Sequence, residues 1–418
     1  MNTMSTISTK RIAVIGGGAA GMMAAGTALL YGADVTVYEH KDRPMRKLRI
    51  TGKGRCNLTN NCTVEEFITN VIHNPRFMYA PLAALSPEDT MTLFENLGVP
   101  LKTERGRRVF PVSDSAEDIL KALLRYTEGV HMRHEHVKAL WTENSTLLGV
   151  EAETRERFDA VILATGGRSY PLTGSDGSGY SIATRVGHTV TPLSPSLVPI
   201  VSKDPLCPML QGLSLKNVSL KILTSASGRK IYEDFGEMMF THFGLTGPMV
   251  LSASAHLGKH ALKELLAEID LKPALDEVAL DARILSDFKA CANRNFENAL
   301  KGLLPAKMIP AMIRYTDIPA DKKVHDISKA ERLRLLDALK HFRIPLHAFR
   351  PIEEAIVTAG GVSVSEIDPK TMMSKKQSAL FLAGEILDLD AYTGGYNLQI
   401  AFSTGYLAGK SAAEFIYS

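Results

Sequence analysis

The sequence predicts an α/β fold with a buried parallel sheet, organised in two or three domains. Three short apolar segments, at residues 11–15, 158–164 and 380–383, run into glycine within two residues, as strands of a layered α/β fold do. The chain has 418 residues, more than the ~250–300 at which a single core stops growing. Between residues 195 and 350 the pattern changes, which indicates an insertion into the first domain.

The first forty residues predict one βαβ unit. After the first apolar segment comes the turn Gly16-x-Gly18-x-x-Gly21, then a helical pattern, then a β-branched run at 35–38 that ends at Glu39. Such glycines let the backbone approach a pyrophosphate, and the following helix directs its free amides and positive dipole at it. Glu39 is placed to accept hydrogen bonds from an adenosine ribose. The predicted dinucleotide contacts of the turn are Gly16, Gly18, Ala19, Ala20 and Gly21.

The segment between residues 195 and 350 combines strand and helix patterns. Val218, Leu220 and Ile222 alternate with polar residues, and 225–228 is the expected hairpin turn. Helical spacing follows at 262–269, 280–304 and 329–340. The predicted domains are 1–194 and 351–418, which form one discontinuous domain, and the inserted β-plus-helical domain 195–350.

The last part of the chain favours FAD over NAD alone. Gly384-Glu385 follows the third apolar segment, and residues 394–399 precede a helix rich in alanine and glycine. A second helix N-terminus with close backbone approach suits a long, bent cofactor, with amides near Tyr396 and Leu398 directed at the electron-rich edge of the flavin ring. A tightly packed terminal helix without a ligand is the alternative.

Composition narrows the classes of partner. Lys and Arg number 48 against 45 Asp and Glu, so the formal charge of +3 is too balanced for a protein that neutralises many phosphates. The four cysteines show no CxxC spacing, which favours a reducing cytoplasm over a zinc site or disulfide framework. We therefore expect a cytoplasmic protein with a small-molecule substrate and without a nucleic-acid partner, a membrane partner or a metal. The oligomeric state stays open.

Five blocks, in order along nearly the whole chain, resemble one family. They are 51–60 (TGKGRCNLTN), 106–113 (GRRVFPVS), 164–174 (ATGGRSYPLTG), 241–248 (THFGLTGP) and 384–399, which contains GEILD and GGYNLQ. In these blocks the chain is similar to the BaiN-like flavoproteins, which include aminoacetone oxidase. The resemblance implies a glutathione-reductase-type, Rossmann-like FAD-binding domain with an inserted β-barrel and small helical bundle. It also implies bound FAD and an NAD(P)/FAD-dependent oxidoreductase role.

The resemblance extends the cofactor contacts beyond the first turn. Block 51–60 would wrap the pyrophosphate, ribityl and flavin side, with Arg55 as a charge partner and Lys47 as a second positive charge. A solvated basic loop is the alternative for these cations. The chain departs from the family at Met373, where we expect Glu. The implied contacts are Lys47, Gly54, Arg55, Cys56, Asn57, Val137 (against adenine), Thr165, Gly166, Gly384, Glu385, Gly395, Asn397 and Leu398.

His242 and Tyr396 are the predicted catalytic residues, and Arg168 and Tyr170 are further candidates. His242 lies where a strand gives way to a glycine-rich turn, and imidazole exchanges protons near neutral pH. We expect it to face the flavin from the inserted domain, with a purely structural histidine as the alternative.

Two further groups of residues could carry chemistry, and the sequence disfavours both. Five residues separate Cys56 from Cys62, one more than in the redox pairs of flavin-linked disulfide reductases. His131, His134 and His136 have strand spacing that we expect to place them on one face, but no second set of metal ligands accompanies them.

The sequence favours an FAD-dependent oxidoreductase that exchanges a hydride between flavin and a small organic substrate, with NAD(P)H as reductant. No second complete dinucleotide unit is present, so NAD(P)H would bind transiently over the flavin. A peroxide-forming oxidase of a small amine or aminoketone is the main alternative. A flavin-dependent RNA-modifying enzyme and a non-catalytic flavin sensor are weaker alternatives.

Overall fold

The computed structural model describes residues 10–418, whose strands form five sheets. In chain order the strands are β1 (Arg11–Ile15), β2 (Asp34–Tyr38), β3 (Thr59–Asn60), β4 (Leu101–Glu104), β5 (Arg108–Pro111), β6 (His131–Arg133), β7 (Ala139–Glu143), β8 (Thr146–Glu151), β9 (Arg155–Arg157), β10 (Ala160–Leu163), β11 (Ser194–Ser196), β12 (Ile200–Val201), β13 (Ser214–Thr224), β14 (Lys230–Thr241), β15 (Gly244–Thr246), β16 (Leu265–Asp270), β17 (Phe342–Pro345), β18 (Ala348–Phe349), β19 (Val357–Ala359) and β20 (Leu380–Leu382).

The α-helices of the described residues range from single turns to one long terminal helix. They are α1 (Ala19–Leu30), α2 (Arg46–Ile50), α3 (Val64–Ile68), α4 (Tyr79–Ala84), α5 (Pro87–Asn96), α6 (Ala116–Tyr126), α7 (Ser178–Arg185), α8 (Leu206–Met209), α9 (Pro248–His256), α10 (Glu277–Ala290), α11 (Phe296–Ala299), α12 (Ile309–Thr316), α13 (Lys329–Lys340) and α14 (Tyr396–Tyr417). Within residues 10–418, none of these helices combines the length and the apolar character needed to cross a membrane.

The central sheet of the first unit is parallel, with strand order β20-β10-β1-β2-β6. Its middle strand β1 is buried, with Ile12 and Val14 fully inaccessible, as expected where both faces of a parallel sheet are covered. α1 follows β1 and leads into β2, which confirms the predicted βαβ unit. Because the strands are parallel, the carboxyl ends of β1, β10 and β20 lie along one edge of the sheet.

Contacts within the described residues divide them into two compact units, 10–196 with 352–418 and 197–351. In the second unit seven strands form one antiparallel sheet in the order β17-β16-β13-β14-β15-β12-β18. β13 and β14 form the predicted hairpin. Closure of this sheet into a barrel stays a prediction.

One helical prediction in the second unit is wrong. Residues 262–269 were expected to be helical, but Leu265–Asp270 is strand β16, which pairs with β13 on one side and β17 on the other. The pattern 280–304 is helical only in part, since α10 ends at Ala290. The predicted helix 329–340 is confirmed as α13, where Ser328 and Glu331 form a capping box.

Candidate functional site

The glycine turn after β1 contains glycines with two different roles. Gly16 has φ +103°, and a Cβ there would lie 2.5 Å from the Ala164 carbonyl oxygen at the end of β10. A Cβ on Gly21 would overlap the Gly16 carbonyl oxygen. For Gly18, in contrast, no atom of the described residues beyond its two chain neighbours lies within 4 Å of the hypothetical Cβ. The fold requires glycine at Gly16 and Gly21, whereas the space in front of Gly18 is open to a ligand.

The N-terminus of α1 presents an uncompensated positive end. Gly18 is its N-cap and provides no side-chain hydrogen bond, and the first turn, which includes Ala19 and Ala20, contains no acidic residue. The free amides and the helix dipole therefore lack a partner from the helix itself, a state that favours a bound phosphate.

Glu39 is fixed beside the same turn. It follows β2, is 8% exposed, and accepts hydrogen bonds from the backbone amides of Gly17 (3.0 Å) and Lys41 (2.9 Å). Val137 lies farther along the chain after β6 and is buried in the core at 3% exposure. The structure thus joins Glu39 to the glycine turn, while the adenine contact of Val137 stays a prediction.

Lys47 and Glu385 form an ion pair, although 338 positions separate them in the chain. The Lys47 ammonium donates to Glu385 (2.7 Å) and Ser169 (2.6 Å), and Glu385 also accepts from the Ser169 hydroxyl (3.0 Å) and the Thr358 amide (2.9 Å). Each side chain of the ion pair is about one-fifth exposed. Lys47 therefore does not present a free positive charge, because Glu385 already compensates it. Sequence reasoning missed Ser169 and Thr358, since neither has a spacing that signals a partner.

The end of β10 carries an unsatisfied polar atom. Among the described residues, the hydroxyl oxygen of Thr165 is buried without a hydrogen-bond partner, and it lies so close to Gly179 of α7 that a Cβ there would overlap it. The next residue, Gly166, has φ +75°. A buried hydroxyl without a partner is costly, so a polar group of a ligand would stabilise it.

α1 and α14 run parallel with their backbones in close contact. A Cβ on Gly405 would overlap the Ala20 carbonyl oxygen, and a Cβ on Gly409 would overlap that of Ala24. α14 begins at Tyr396, nine residues before Gly405, so its N-terminus extends about 12 Å beyond that of α1. The positive ends of these two parallel helices are therefore offset by about 12 Å in the direction of the helix axes. This separation fits a cofactor longer than a single nucleotide.

The loop before α14 is held by residues from the block 51–60. Gly395 has φ +101°, and its Cβ would overlap the backbone of Thr59. The Asn60 amide donates to the Gly394 carbonyl (3.0 Å). With its amide oriented to satisfy both ends, Asn57 accepts from the Gly395 amide at 3.0 Å. The structure therefore joins the two implied cofactor blocks.

Asn397 and Leu398 have supporting positions in the first turn of α14. Asn397 accepts from the Ala391 amide (2.9 Å) and donates to the Ala391 carbonyl (2.7 Å), and Leu398 packs against a buried cluster. Gly384, at φ +78°, approaches Ala20 so closely that a Cβ would lie 2.7 Å from that of Ala20. The three residues fix the loop that connects β20 to α14.

The block around Arg55 is charge-paired within the protein. Its guanidinium bonds to Glu104 and Asp114 and lies 4.1 Å over the ring of Phe110, while Gly54 forms the preceding turn with φ +84°. A contact between Arg55 and a cofactor phosphate stays a prediction.

The cysteines of this region are protonated thiols at neutral pH. Cys56 and Cys62 are both free thiols in the structure, and the absence of a redox pair stays a prediction. Burial raises the pKa of the Cys56 thiol to about 12 and that of Cys62 to about 11. Neither side chain is therefore a reactive thiolate near pH 7.

The predicted catalytic residues lie in different environments. His242 is exposed at the turn between β14 and β15, where its ring contacts Phe243 edge-on at 5.0 Å. Tyr396 is 9% exposed and packs edge-on against Phe67 at 5.2 Å, and burial raises the pKa of its hydroxyl to about 12. Their catalytic roles stay predictions.

The three clustered histidines do not share a face, so that expectation is wrong. Only His131 lies on β6, where it pairs with Asp34, whereas His134 bonds to the Lys41 carbonyl and His136 contacts the ring of His40 edge-on. β6 ends at Arg133, so strand spacing does not continue to the other two.

The fold and this cradle define a dinucleotide-binding protein of the Rossmann type, and its residues fit FAD. Four features of the site support the fit to FAD. They are the uncapped N-terminus of α1, the open face at Gly18, the unsatisfied hydroxyl of Thr165, and the N-terminus of α14 about 12 Å from that of α1. Among the described residues, no three His, Cys, Asp or Glu side chains are arranged to hold a metal ion.

Comparison with known proteins identifies the family. The family model described as HI0933-like protein Rossmann domain matches residues 10–411. A 3-dehydro-bile acid delta(4,6)-reductase of Clostridium scindens is 32% identical over 97% of this chain and 99% of its own length. A ribosomal RNA dihydrouridine synthase of Escherichia coli is 29% identical over 95% of this chain and 96% of its own length.

One solved structure supports the fold alone. A 3-ketosteroid delta1-dehydrogenase from Sterolibacterium denitrificans aligns with a TM-score of 0.50 and 14% identity, over 97% of this chain and 100% of that chain. The chain belongs to the HI0933-like family, which confirms the resemblance found in the sequence blocks. It is an FAD-dependent oxidoreductase.

Proposed function

We propose that this protein reduces a carbon–carbon double bond conjugated to a carbonyl group, with NAD(P)H as the source of electrons. The observation that carries the proposal is the end-to-end similarity to relatives named for a delta(4,6)-reductase and a dihydrouridine synthase. Both printed names describe addition of hydrogen to an unsaturated substrate. The reaction consumes one NAD(P)H and one proton for each double bond.

Bound FAD would supply the hydride from N5 of its reduced ring. The chain's own residues would bind and orient it. The Gly18 face and the α1 N-terminus would hold the pyrophosphate, Glu39 would accept from the adenosine ribose, and the N-terminus of α14 would lie toward the flavin. The ion pair of Lys47 with Glu385 would keep its side of the site rigid without adding net charge. His242 and Tyr396 remain the sequence-based candidates for the proton donor.

An anaerobic half-reaction tests this proposal. The purified yellow protein is mixed with NADH or NADPH, and bleaching of the flavin absorbance is followed; a 3-oxo-4-ene steroid is then added. We expect bleaching within seconds by one of the nucleotides and return of colour on addition of the unsaturated ketone. A protein that ignores both nucleotides but releases peroxide with small amines in air would instead be the predicted alternative, an oxidase.

A basic surface patch favours uridine in RNA as a second candidate substrate. We define the patch as segments 49–55 and 101–114, which contain seven cationic side chains and two carboxylates. Two carboxylates from outside these segments, Glu66 and Glu117, form ion pairs with the patch and are counted with it. Its net charge of +3 equals that of the whole chain. The Asn60 amide donates to both Gly106 in this patch and Gly394 beside α14, at 3.0 Å each. The cations are Arg49, Lys53, Arg55, Lys102, Arg105, Arg107 and Arg108.

The two substrates are distinguished by salt-dependent binding of a ribosomal RNA transcript. If RNA is the substrate, Arg105→Ala with Arg108→Ala weakens binding and lowers the salt slope by about two, because each phosphate contact contributes about one. Arg294→Ala with Lys323→Ala, in the second unit, is the matched control. Equal RNA binding by both double variants would remove the patch as an argument for RNA.

A further inference from the structure

The segment after β10 carries a cation without a partner at the edge of the cofactor site. Arg168 comes shortly after Thr165 and Gly166, two of the implied cofactor contacts, and it is exposed. Among the described residues, its guanidinium has no hydrogen-bond or ion-pair partner. In this respect it differs from Lys47 and Arg55, the two cations predicted for the cofactor, whose charges are compensated by carboxylates.

The backbone of Arg168 is fixed against the network around Glu385. The Arg168 amide donates to the Thr358 hydroxyl (2.8 Å). On one side of Arg168, a Cβ on Gly167 would lie 2.9 Å from the Glu385 carboxylate. On the other side, the Ser169 hydroxyl donates to the same carboxylate (3.0 Å). The side chain of Arg168 therefore starts from a rigid point beside an implied cofactor contact.

The stem of the Arg168 side chain lies on the first turn of α7. Gly177 is the N-cap of this helix, and a Cβ there would lie 3.7 Å from Cγ and 3.8 Å from Cδ of Arg168. Two residues farther along, a Cβ on Gly179 would overlap the unsatisfied hydroxyl of Thr165. The same helical turn thus contacts both the arginine stem and the hydroxyl assigned to the cofactor face.

Two carboxylates, Asp176 and Glu385, lie beside these contacts, and both have other partners. Asp176 accepts from the Ser178 amide (2.9 Å) and lies 3.8 Å from Nε2 of His40. Glu385 already pairs with a lysine. In the part of the chain that the structure describes, neither carboxylate pairs with Arg168. The guanidinium is therefore available to a ligand, and a solvated arginine without a ligand is the alternative.

We propose that Arg168 binds an anionic group, a phosphate or a carboxylate, of one of the two small molecules that react with the flavin. The inference rests on the proposed function, because it assigns the anion to a reactant of that reduction. The phosphate would be the 2′-phosphate of NADPH, and the carboxylate would belong to the unsaturated substrate. A guanidinium keeps its charge near neutral pH and pairs with either group through two parallel hydrogen bonds. This chemistry suits ligand binding and not proton transfer.

Two matched pairs of ligands distinguish the two sources of the anion. NADP⁺ and NAD⁺ differ by the 2′-phosphate, and a 3-oxo-4-ene steroid acid differs from its methyl ester by the charge. Each ligand is titrated calorimetrically into the oxidised holoenzyme, so that binding is measured without turnover. Arg168→Met keeps a linear stem without the charge. We expect it to raise the Kd of the charged member of one pair about 10- to 150-fold, and that of its uncharged counterpart less than about twofold.

Two further variants are controls. Arg168→Lys keeps the charge but not the planar fork, so it should retain part of the affinity. Arg229→Met removes an exposed arginine between β13 and β14 whose side chain also has no partner among the described residues, and it should bind all four ligands like the wild type. FAD content should be the same in every variant. Added salt should weaken binding of the charged ligand to the wild type and have little effect on its binding to Arg168→Met.

The possible outcomes separate this inference from the proposed function. If Arg168→Met binds every ligand like the wild type, Arg168 is a solvated surface residue and the inference is wrong. If both members of a pair weaken equally, or FAD is lost, the arginine supports the fold or the cofactor, and the inference is also wrong. A wild-type protein that binds neither charged ligand overturns both claims. If the loss is selective but the wild type transfers no electrons between these reactants, the anion site is supported and the proposed function fails.

Discussion

Replacing Gly18 with alanine separates cofactor binding from folding at the glycine turn. Gly18 has φ −80° and ψ −170°, a conformation open to alanine. Within residues 10–418, no atom other than those of its chain neighbours lies within 4 Å of the added Cβ. The free energy of unfolding without cofactor should therefore change by no more than about 1 kcal/mol. The methyl group enters the face assigned to the pyrophosphate. Loss of one charge-assisted hydrogen bond there, worth about 1.5–3 kcal/mol, would weaken FAD binding about 10- to 150-fold.

The assay is titration of the cofactor-free protein with FAD, followed by quenching of flavin fluorescence, together with urea unfolding. Gly21→Ala is the matched control, because its Cβ would overlap the Gly16 carbonyl oxygen. That variant should lose about 1–3 kcal/mol or more of stability as well as FAD. An FAD affinity of Gly18→Ala within twofold of wild type would refute the assignment of the open face to the cofactor.

Three other predictions concern charge and protonation. Lys47→Met leaves the Glu385 carboxylate without its ion-pair partner, so the free energy of unfolding should fall. The double variant Lys47→Met with Glu385→Gln should recover part of that free energy, as measured by urea unfolding. Cys56 should resist iodoacetamide in the folded protein at pH 8, because its pKa of about 12 leaves it protonated, and should react after unfolding; rapid native labelling would contradict this. The hydrogen bond from Lys322 lowers the pKa of Glu331 from 4.5 to about 2. Because the folded state favours the ionised carboxylate, Glu331 stabilises the fold above pH ~4.5, and this stabilisation is lost as the pH falls toward 2. Glu331→Gln should lack this component in acid unfolding.

The sequence predicted those parts of the fold that depend on local chemistry. β1 with its glycine turn, and the helix α13, follow from periodicity and glycine spacing within a few positions. The strand β16 was missed because its residues, Leu265 to Asp270, suit a helix as well. The segment becomes a strand because it pairs with β13 and β17. These partners are distant in sequence, so the residues around 265–270 do not reveal the pairing.

The candidate site divides in the same way. The glycine turn and Glu39 could be predicted because they form one local motif. The bond of Lys47 to Glu385 and that of Asn60 to Gly394 each join residues more than 300 positions apart, and no spacing rule predicts such contacts. The charge argument against nucleic acid had a related limit: a net charge of +3 averages over the chain and conceals a local patch such as the one at Arg105 and Arg108.

The most direct test of the account is a single anaerobic turnover. The protein is reduced with one equivalent of NADPH or NADH, freed of nucleotide, and mixed with a 3-oxo-4-ene steroid or a ribosomal RNA transcript while the flavin absorbance is recorded. The account predicts that one of these substrates restores the oxidised flavin spectrum and yields one equivalent of saturated product. A reduced protein that keeps its electrons with both substrates, yet is reoxidised at once by air, would contradict it.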